Sequence, residues 1–420
     1  MPPPSLTDRP ELFCRDTCHV CAAKLPPPVL DLGLQPLCDD LVPVGDARAT
    51  VKYPIQISIC PICLTAHQVY QIVKETLFPK SYHYRPRFTL DVLNGMKSLV
   101  EEHQTQFGDL TGKLTCDIGC NDGSLLNYFK QVGAGTCGIE PTDAALEAAA
   151  QGHHIIQGYF NSESAARLVA EVGHPDVISF TNVFAHIESL EETIAALKLM
   201  VHPGTIIVIE NHYLGSVLAT NQFDTFYHEH PRTYSFRSFE FIARSLGGEV
   251  IFSSLPKRYG GNIRVTIGNF GSAVHQRRTS PDVATLDESD FPEKLSNMQA
   301  LVDAWKVETL QQWRALAAEG LTIYGKSFPG RSAILITLLG IDEKDQPGVF
   351  EKPGSLKIGH YLPGTRIEIL SDDLWLNGET QPPAMLIWGW HIAEEIRAYL
   401  RHSGYMGRIF TPLPRFTELD

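Results

Sequence analysis

Apolar residues along this chain follow two rhythms. Between residues 114 and 210, short continuous apolar runs alternate with stretches of helical spacing. Leu114–Ile118 reads as a buried strand ending in the turn Gly119-Cys120-Asn121-Asp122-Gly123. Ser124–Val132 then sets Leu125, Leu126 and Phe129 on one helical face. Thr136–Glu140 is a second strand and Asp143–Gln151 an Ala-rich helix. Asp176–Phe180 and Thr205–Glu210 read as further strands, with helical Leu190–Met200 between them. The rhythm returns late in the chain. Phe291–Gly320 is a long helical pattern, Leu321–Tyr324 a strand running into a glycine turn, and Ala333–Leu339 a helix. Arg366–Leu370 and Ala384–Trp388 are later strands, and His391–Leu400 a last helix. Strands alternating with helices predict parallel sheets covered on both faces, an α/β fold.

The first eighty residues break this pattern. They are rich in Pro and Cys and lack helical periodicity. Cys18-x-x-Cys21 and Cys60-x-x-Cys63 form two knuckles separated by a loop. Two such pairs can present four thiolates to a tetrahedral Zn²⁺, which stabilises a segment with little core of its own. Cys14 and Cys38 are expected to be bystanders. The organisation predicted is a zinc-binding segment over 1–80, a Rossmann-like α/β domain over 81–270, and a smaller Rossmann-like α/β domain over 271–420.

Composition narrows the options. The chain has 420 residues, 43% hydrophobic and 20% charged, which suits several packed cores. Its apolar runs, such as Gly204–Ile209, are too short for a membrane span, so no membrane association is expected. The opening Met-Pro-Pro-Pro-Ser has neither a basic region nor an apolar core, unlike a secretory leader. The formal net charge of −13 argues against a nucleic-acid partner, since phosphate tracking needs a basic surplus. Nine cysteines without a leader point to a reducing cytoplasm, where paired motifs bind metal.

The turn after Leu114–Ile118 carries the first candidate chemistry. Asp117, Gly119, Asn121, Asp122 and Gly123 sit where a strand meets a helix, and glycine there lets a ligand approach the backbone. Glu140 ends the next strand, where a carboxylate can accept ribose hydroxyls. A pyrophosphate-binding dinucleotide site needs G-x-G-x-x-G, which is absent. S-adenosylmethionine carries no phosphate and fits the sparser loop. Asn121 suits a left-handed position better than most residues.

A second cluster is Phe223-Asp-Thr-Phe-Tyr227-His228-Glu229-His230. It lacks the H-E-x-x-H spacing of a metalloprotease. Asn182 and His186 follow the strand ending at Phe180, so they should lie near the glycine turn at the C-terminal strand ends. Tyr82-His83-Tyr84 follows the cysteine-rich segment, and Tyr259-Gly-Gly-Asn-Ile-Arg264 adds a turn with a cation.

Taken together and in order, these motifs resemble the nucleotide-sugar C-methyltransferases that act on 4-keto-deoxysugars. The resemblance rests on the two Cys knuckles, Leu32-Gly33-x-Gln35-Pro36-Leu37, Tyr82–Tyr84 and Asp117–Gly123. It continues through Gly138-Ile-Glu140-Pro141, Asn182…His186-Ile187, Phe223-Asp224…His230, Gly260-Gly261…Arg264 and His391-x-Ala393-Glu394-Glu395. It covers almost the whole chain. The resemblance implies a central class I methyltransferase domain, S-adenosylmethionine as methyl donor, a structural Zn²⁺, and a C-terminal domain that holds a nucleotide-diphosphate sugar. It also implies methylation at C-3′ through proton abstraction next to the ketone, formation of an enolate, and methyl transfer. His230 would be the base, with Tyr84 or Tyr227 as partner or alternative. Glu229 would hold the sugar, and Asn182 and His186 would contact the sugar or the developing enolate. Phe160 and Glu140 would hold the adenosine.

Two stretches depart from the family. The C-terminal loop reads Gly325-Lys326-Ser-Phe-Pro-Gly-Arg331-Ser332 in place of Gly-Ala-x-x-Lys. Lys326, Arg331 and Ser332 could still cradle a diphosphate at a helix N-terminus, and Arg264 is a further candidate substrate contact. Pro231-Arg232 replaces residues that are often aromatic, a change expected to bear on the sugar pocket. The residues leave open O- or N-methylation of a sugar or other small molecule, a non-catalytic zinc and S-adenosylmethionine binder, and either a monomer or a dimer.

Overall fold

The computed structural model describes residues 9–78, 85–258, 260–272, 274–278, 280–378 and 381–419. The central apolar runs form one sheet. His154–Gln157, Gly135–Glu140, Leu114–Ile118, Val177–Thr181 and Ile206–His212 lie side by side in parallel. Asn262–Gly268 follows, antiparallel to both Ile206–His212 and the edge strand Glu249–Ser254. The chain leaves Leu114–Ile118 towards one edge and resumes at Val177–Thr181 on its other side. The C-terminal ends of these two strands therefore flank a topological switch point, where α/β sheets open a ligand crevice.

The connecting helices form where the sequence supplies both an apolar face and a start signal. Ser124–Gln131 buries Leu125, Leu126 and Phe129. Ser162–Val172 starts at a capping box in which the Asn161 side chain accepts from Ser164 N–H and Ser164 Oγ accepts from Asn161 N–H in return. Leu190–Met200 starts at Ser189, whose side chain accepts from Glu192 N–H, with Glu191 and Glu192 at the positive end of the helix dipole.

The C-terminal sheet has a parallel centre, in the order Arg408–Thr411, Ala384–Ile387, Ile323–Lys326, Gly348–Glu351 and Glu368–Ser371. The long helix Phe291–Ala318 joins it to the central domain and buries Phe291, Leu295, Met298, Val302, Trp305 and Trp313. The expected segments 1–80, 81–270 and 271–420 exchange strands with one another. Val42–Pro43, from the N-terminal segment, pairs with His360–Tyr361 at the edge of the C-terminal sheet. In the opposite sense, Arg232–Thr233 joins the N-terminal sheet beside Ala66–Gln68, followed by Lys52–Ile59 and Leu30–Pro36. One apolar core runs from Leu30 through the central sheet to Phe416. Among the described residues, no helix is long and apolar enough to cross a membrane.

Candidate active site and zinc centre

The four knuckle cysteines converge. The sulfurs of Cys18, Cys21, Cys60 and Cys63 all lie within 4.8 Å of one another. Cys18 Sγ is 3.4 Å from Cys63 Sγ, and Cys21 Sγ is 3.4 Å from Cys60 Sγ. Zn–S bonds of about 2.3 Å in a tetrahedron separate sulfurs by about 3.8 Å, so the set fits Zn²⁺. Outer partners orient it: His67 Nε2 lies 3.2 Å from Cys18 Sγ, and Thr65 Oγ1 3.0 Å from Cys63 Sγ. Cys14 is exposed and Cys38 lines a different cavity, so neither joins the cluster. No side chain here meets the central cavity, which makes the zinc structural.

A cavity of about 590 Å³ opens at the switch point, between the central and C-terminal sheets. Asp117, Gly119, Asn121, Glu140 and Phe160 line one end. Gly119 adopts φ 69°, and a Cβ there would sit 2.7 Å from Val183 Cγ1, so only glycine leaves the loop this close to the crevice. Asn121 takes φ 47°. Glu140 braces the loop from below: Oε2 accepts from Asn121 N–H at 3.0 Å, and Oε1 from Thr142 N–H at 2.9 Å. Oε1 also accepts from Thr142 Oγ1–H at 2.6 Å, so Oε2 is the oxygen that keeps a second lone pair for a ligand hydroxyl. Asp117 accepts from Ser179 Oγ–H at 2.6 Å, and burial lifts its carboxyl to about 7. Phe160 packs its edge against Phe180. Asp122 and Gly123 do not line the cavity. Gly123 is the helix N-cap at φ 78°, and Asp122 Oδ1 accepts from Ser124 N–H and Oγ–H, so both shape the loop from outside.

At the middle of the cavity stand Tyr227, Glu229, His230, Asn182 and His186. His230 Nδ1 lies 3.1 Å from the Thr225 carbonyl, which can only accept. That bond places the ring proton on Nδ1 and leaves the lone pair on Nε2, 2.9 Å from the Tyr227 hydroxyl. The network assigns this tautomer. The His186 ring lies 4.7 Å from the His230 ring, and the His212 ring 5.3 Å. Burial pushes His230 well below the usual histidine range, and neighbouring His186, His212 and Arg331 push the same way. His186 falls to about 4, again through burial. These imidazoles are therefore neutral at pH 7. His186 Nδ1 donates to the Glu229 carbonyl at 2.7 Å, so the neutral ring offers no second N–H to an enolate oxygen. Asn182, at φ 54°, gives its side-chain oxygen to Asn262 Nδ2–H at 3.2 Å, which leaves its NH₂ for a ligand.

Other expected contacts lie elsewhere. Tyr84 is outside the described residues. Arg264 does not reach the cavity: it is buried against Glu210 at 2.7 Å and Glu102 at 2.7 Å, a charge pair inside the sheet. Ser332 is fully buried, with its hydroxyl on the Trp388 carbonyl. Lys326 lines the cavity but holds both oxygens of buried Asp372, at 2.7 and 2.6 Å. Arg331 also lines the cavity, with its guanidinium clamped on Asp224 and Thr225. Arg232 turns away from the cavity and donates to the Ile187 and Glu188 carbonyls, so it supports the loop after His186 and is not part of a sugar pocket.

His212, His391, Lys352 and Lys357 line the cavity without having been singled out as site residues. His212 ends a parallel strand, which was a readable signal. Lys352 and Lys357 lie in a loop with no motif. Lys352 Nζ sits over the Tyr399 ring at 4.7 Å and pairs with no carboxylate among the described residues.

Comparison with known proteins agrees with this architecture. Three family models match in succession: "Putative zinc binding domain" over residues 18–78, "Methyltransferase domain" over 96–251, and "C-methyltransferase C-terminal domain" over 257–414. The C-methyltransferase NovU of Streptomyces niveus is 25% identical over 411 residues, covering 95% of this chain and 96% of NovU. Among solved structures, magnesium protoporphyrin IX methyltransferase from Synechocystis PCC 6803 with bound SAH is 16% identical. It covers 42% of this chain and 83% of its own, with a TM-score of 0.34. The PH0226 protein from Pyrococcus horikoshii OT3 is 13% identical and covers 46% of this chain and 97% of its own, with a TM-score of 0.35. The chain thus matches, in succession, a zinc-binding domain, a methyltransferase domain and a C-methyltransferase C-terminal domain, the composition of an S-adenosylmethionine-dependent methyltransferase.

Proposed function

We propose that the substrate is a nucleotide-diphosphate-linked 4-keto-deoxysugar and that the carbon methylated is C-3′. The observation that carries this reading is the Tyr227–His230 pair: a buried neutral imidazole with its lone pair on a tyrosine hydroxyl, at the wall of the cavity. Such a pair suits removal of a proton from carbon, a weak acid that needs a desolvated base and a nearby donor for the enolate. The C–H bond breaks and its electron pair moves into the enolate. The proton ends on His230 Nε2, directly or by way of the Tyr227 hydroxyl. The Asn182 NH₂ faces the developing oxygen, and Glu229 accepts from a sugar hydroxyl. S-adenosylmethionine supplies the electrophilic methyl group that the resulting carbanion takes up. Glu140 and Phe160 hold its adenosine end, and the Gly119 turn admits it to the backbone.

The sugar and the C-3′ position rest on the motif resemblance. Support for the nucleotide comes from the far end of the cavity, where Lys352 and Lys357 line the wall. Two ammonium groups there suit a diphosphate better than Lys326 and Ser332, whose polar atoms are already held by Asp372 and the Trp388 carbonyl. The C-terminal domain would then hold the nucleotide and the central domain the reacting carbon.

Deuterium exchange tests the reading. A nucleotide 4-keto-deoxysugar is incubated in D₂O with the enzyme and S-adenosylhomocysteine, and the sugar is followed by NMR. Deuterium at C-3′ that depends on His230 is expected. No exchange with thymidine, guanosine or cytidine diphosphate forms would overturn it in favour of O- or N-methylation.

A further inference from the structure

We propose that Gln68, in the zinc-binding segment, is a positioning residue for the proton-abstracting pair. This rests on the reading of Tyr227 and His230 given above. Gln68 Nε2 donates to the Tyr227 carbonyl at 2.6 Å and to the His230 carbonyl at 3.0 Å. One carboxamide thus closes both ends of the turn Tyr227-His228-Glu229-His230. Among the described residues, its backbone is otherwise tied internally by one bond, His230 N–H to the Tyr227 carbonyl at 2.8 Å, beside the side-chain bond between Tyr227 and His230.

The rest of the turn shows what Gln68 is for. Tyr227, Glu229 and His230 line the cavity, whereas His228 points the other way, 3.2 Å from the Tyr53 carbonyl. The segment has one face for substrate and one face on the N-terminal sheet. Gln68 lies wholly on the second face: it is buried and does not line the cavity, so it cannot touch substrate. Its Oε1 is buried with no donor among the described residues. A carboxamide kept for stability alone would satisfy both ends, because an unmet buried acceptor costs free energy. Here the two N–H groups are used and the oxygen is not.

The scaffold around Gln68 does not depend on its side chain. Ala66–Gln68 pairs with Arg232–Thr233 through the backbone, and Gln68 N–H donates to the Pro231 carbonyl at 3.0 Å. Gln68→Met keeps the length and the backbone pairing while removing only the two side-chain bonds. What is lost is the fixed distance between the Tyr227 hydroxyl and His230 Nε2. Small displacements of a reacting pair reduce rates steeply.

The test uses the full-length zinc-loaded enzyme. For Gln68→Met, kcat and the rate of deuterium entry into the keto-sugar are expected to fall roughly ten- to a hundredfold. KM for the sugar, S-adenosylmethionine affinity and zinc content should stay within about twofold, since the residue touches none of them. Gln68→Glu serves as the second variant. A buried carboxyl against two carbonyls can donate only when protonated, so its activity should drop as pH rises from about 6 to 8, unlike the wild type. Unchanged exchange in Gln68→Met, or a wild-type pH profile in Gln68→Glu, would overturn the positioning role. Absence of exchange in the wild type would overturn the substrate reading instead. The split between kcat and KM of Gln68→Met on the substrate actually methylated would then judge Gln68.

Discussion

Arg331 grips Asp224 with two guanidinium nitrogens, Nε to Oδ2 at 2.9 Å and Nη2 to Oδ1 at 2.7 Å, across the border between the C-terminal and central segments. Nη2 also donates to Thr225 Oγ1 at 2.7 Å, and the carbonyl of the same Thr225 fixes the His230 tautomer. One residue therefore separates the C-terminal domain from the base. Asp224→Asn would leave a buried guanidinium without its counter-charge, and the expected loss of stability is about 3–5 kcal/mol. Denaturant unfolding checks it. Asp224→Asn combined with Arg331→Met should recover much of that loss, because removing both partners leaves no buried charge.

His230→Ala and Glu140→Ala should fail in different ways. The first should lower kcat by about 10²–10⁴-fold and leave S-adenosylmethionine affinity within about twofold. The second removes a carboxylate that braces the Asn121 turn and lines the donor end, so affinity should weaken about tenfold or more. Calorimetric titration with S-adenosylmethionine, alongside steady-state rates, separates the two. Equal losses of affinity in both variants would refute the assignment of roles.

Acid should act on activity and stability together. Burial holds His186 and His228 at about 4 and His391 at about 3. The unfolded chain has ordinary histidines near 6.5, so between about 6.5 and 4 the unfolded state binds more protons and stability falls as pH falls. At pH 5 each buried ring with a value near 4 accounts for about 2 kcal/mol of that loss. Denaturation midpoints across this range should drop steadily. The acid limb of kcat/KM should lie well below pH 6.5, because His230 stays neutral until then.

Zinc removal should cripple turnover before it touches donor binding. The Cys63 carbonyl accepts from Ser235 Oγ–H at 2.8 Å and Ser238 Oγ–H at 3.2 Å, directly after the strand that follows His230. Chelation is expected to release that segment, lowering kcat at least tenfold, while the Gly119 end stays folded. Metal analysis, donor titration and near-UV circular dichroism on the same sample check it.

Much of this was legible in the sequence, and for identifiable reasons. Leu114–Ile118 and Val177–Thr181 are buried on both faces, so each appears as an apolar run. Asn262–Gly268 shows no such run, although it is fully buried, because Asn262, Arg264 and Thr266 interrupt it. Asn262 and Arg264 are matched by Glu210 on the neighbouring strand, and pairing across a sheet leaves no trace along one strand. The same cause explains Arg264, whose local setting resembles a substrate contact and whose partner lies fifty-four residues away. Tyr227, Glu229 and His230 stood out because they share one short turn. Gln68 did not, since its side-chain bonds reach a turn far along the chain, and Thr225 acts through its backbone carbonyl, which leaves no side-chain signal.

The exchange of strands sets the order in which the molecule can be assembled. As the chain leaves the ribosome, Leu30–Pro36, Lys52–Ile59 and Ala66–Gln68 emerge early but expose an unpaired edge until Arg232–Thr233 has been made. Val42–Pro43 must wait longer still, for His360–Tyr361. The N-terminal knuckles can take up metal at once, yet their sheet is completed only by residues synthesised after the donor-binding turn. Folding of the three parts is thereby made interdependent, and a shortened chain would present raw strand edges to its neighbours.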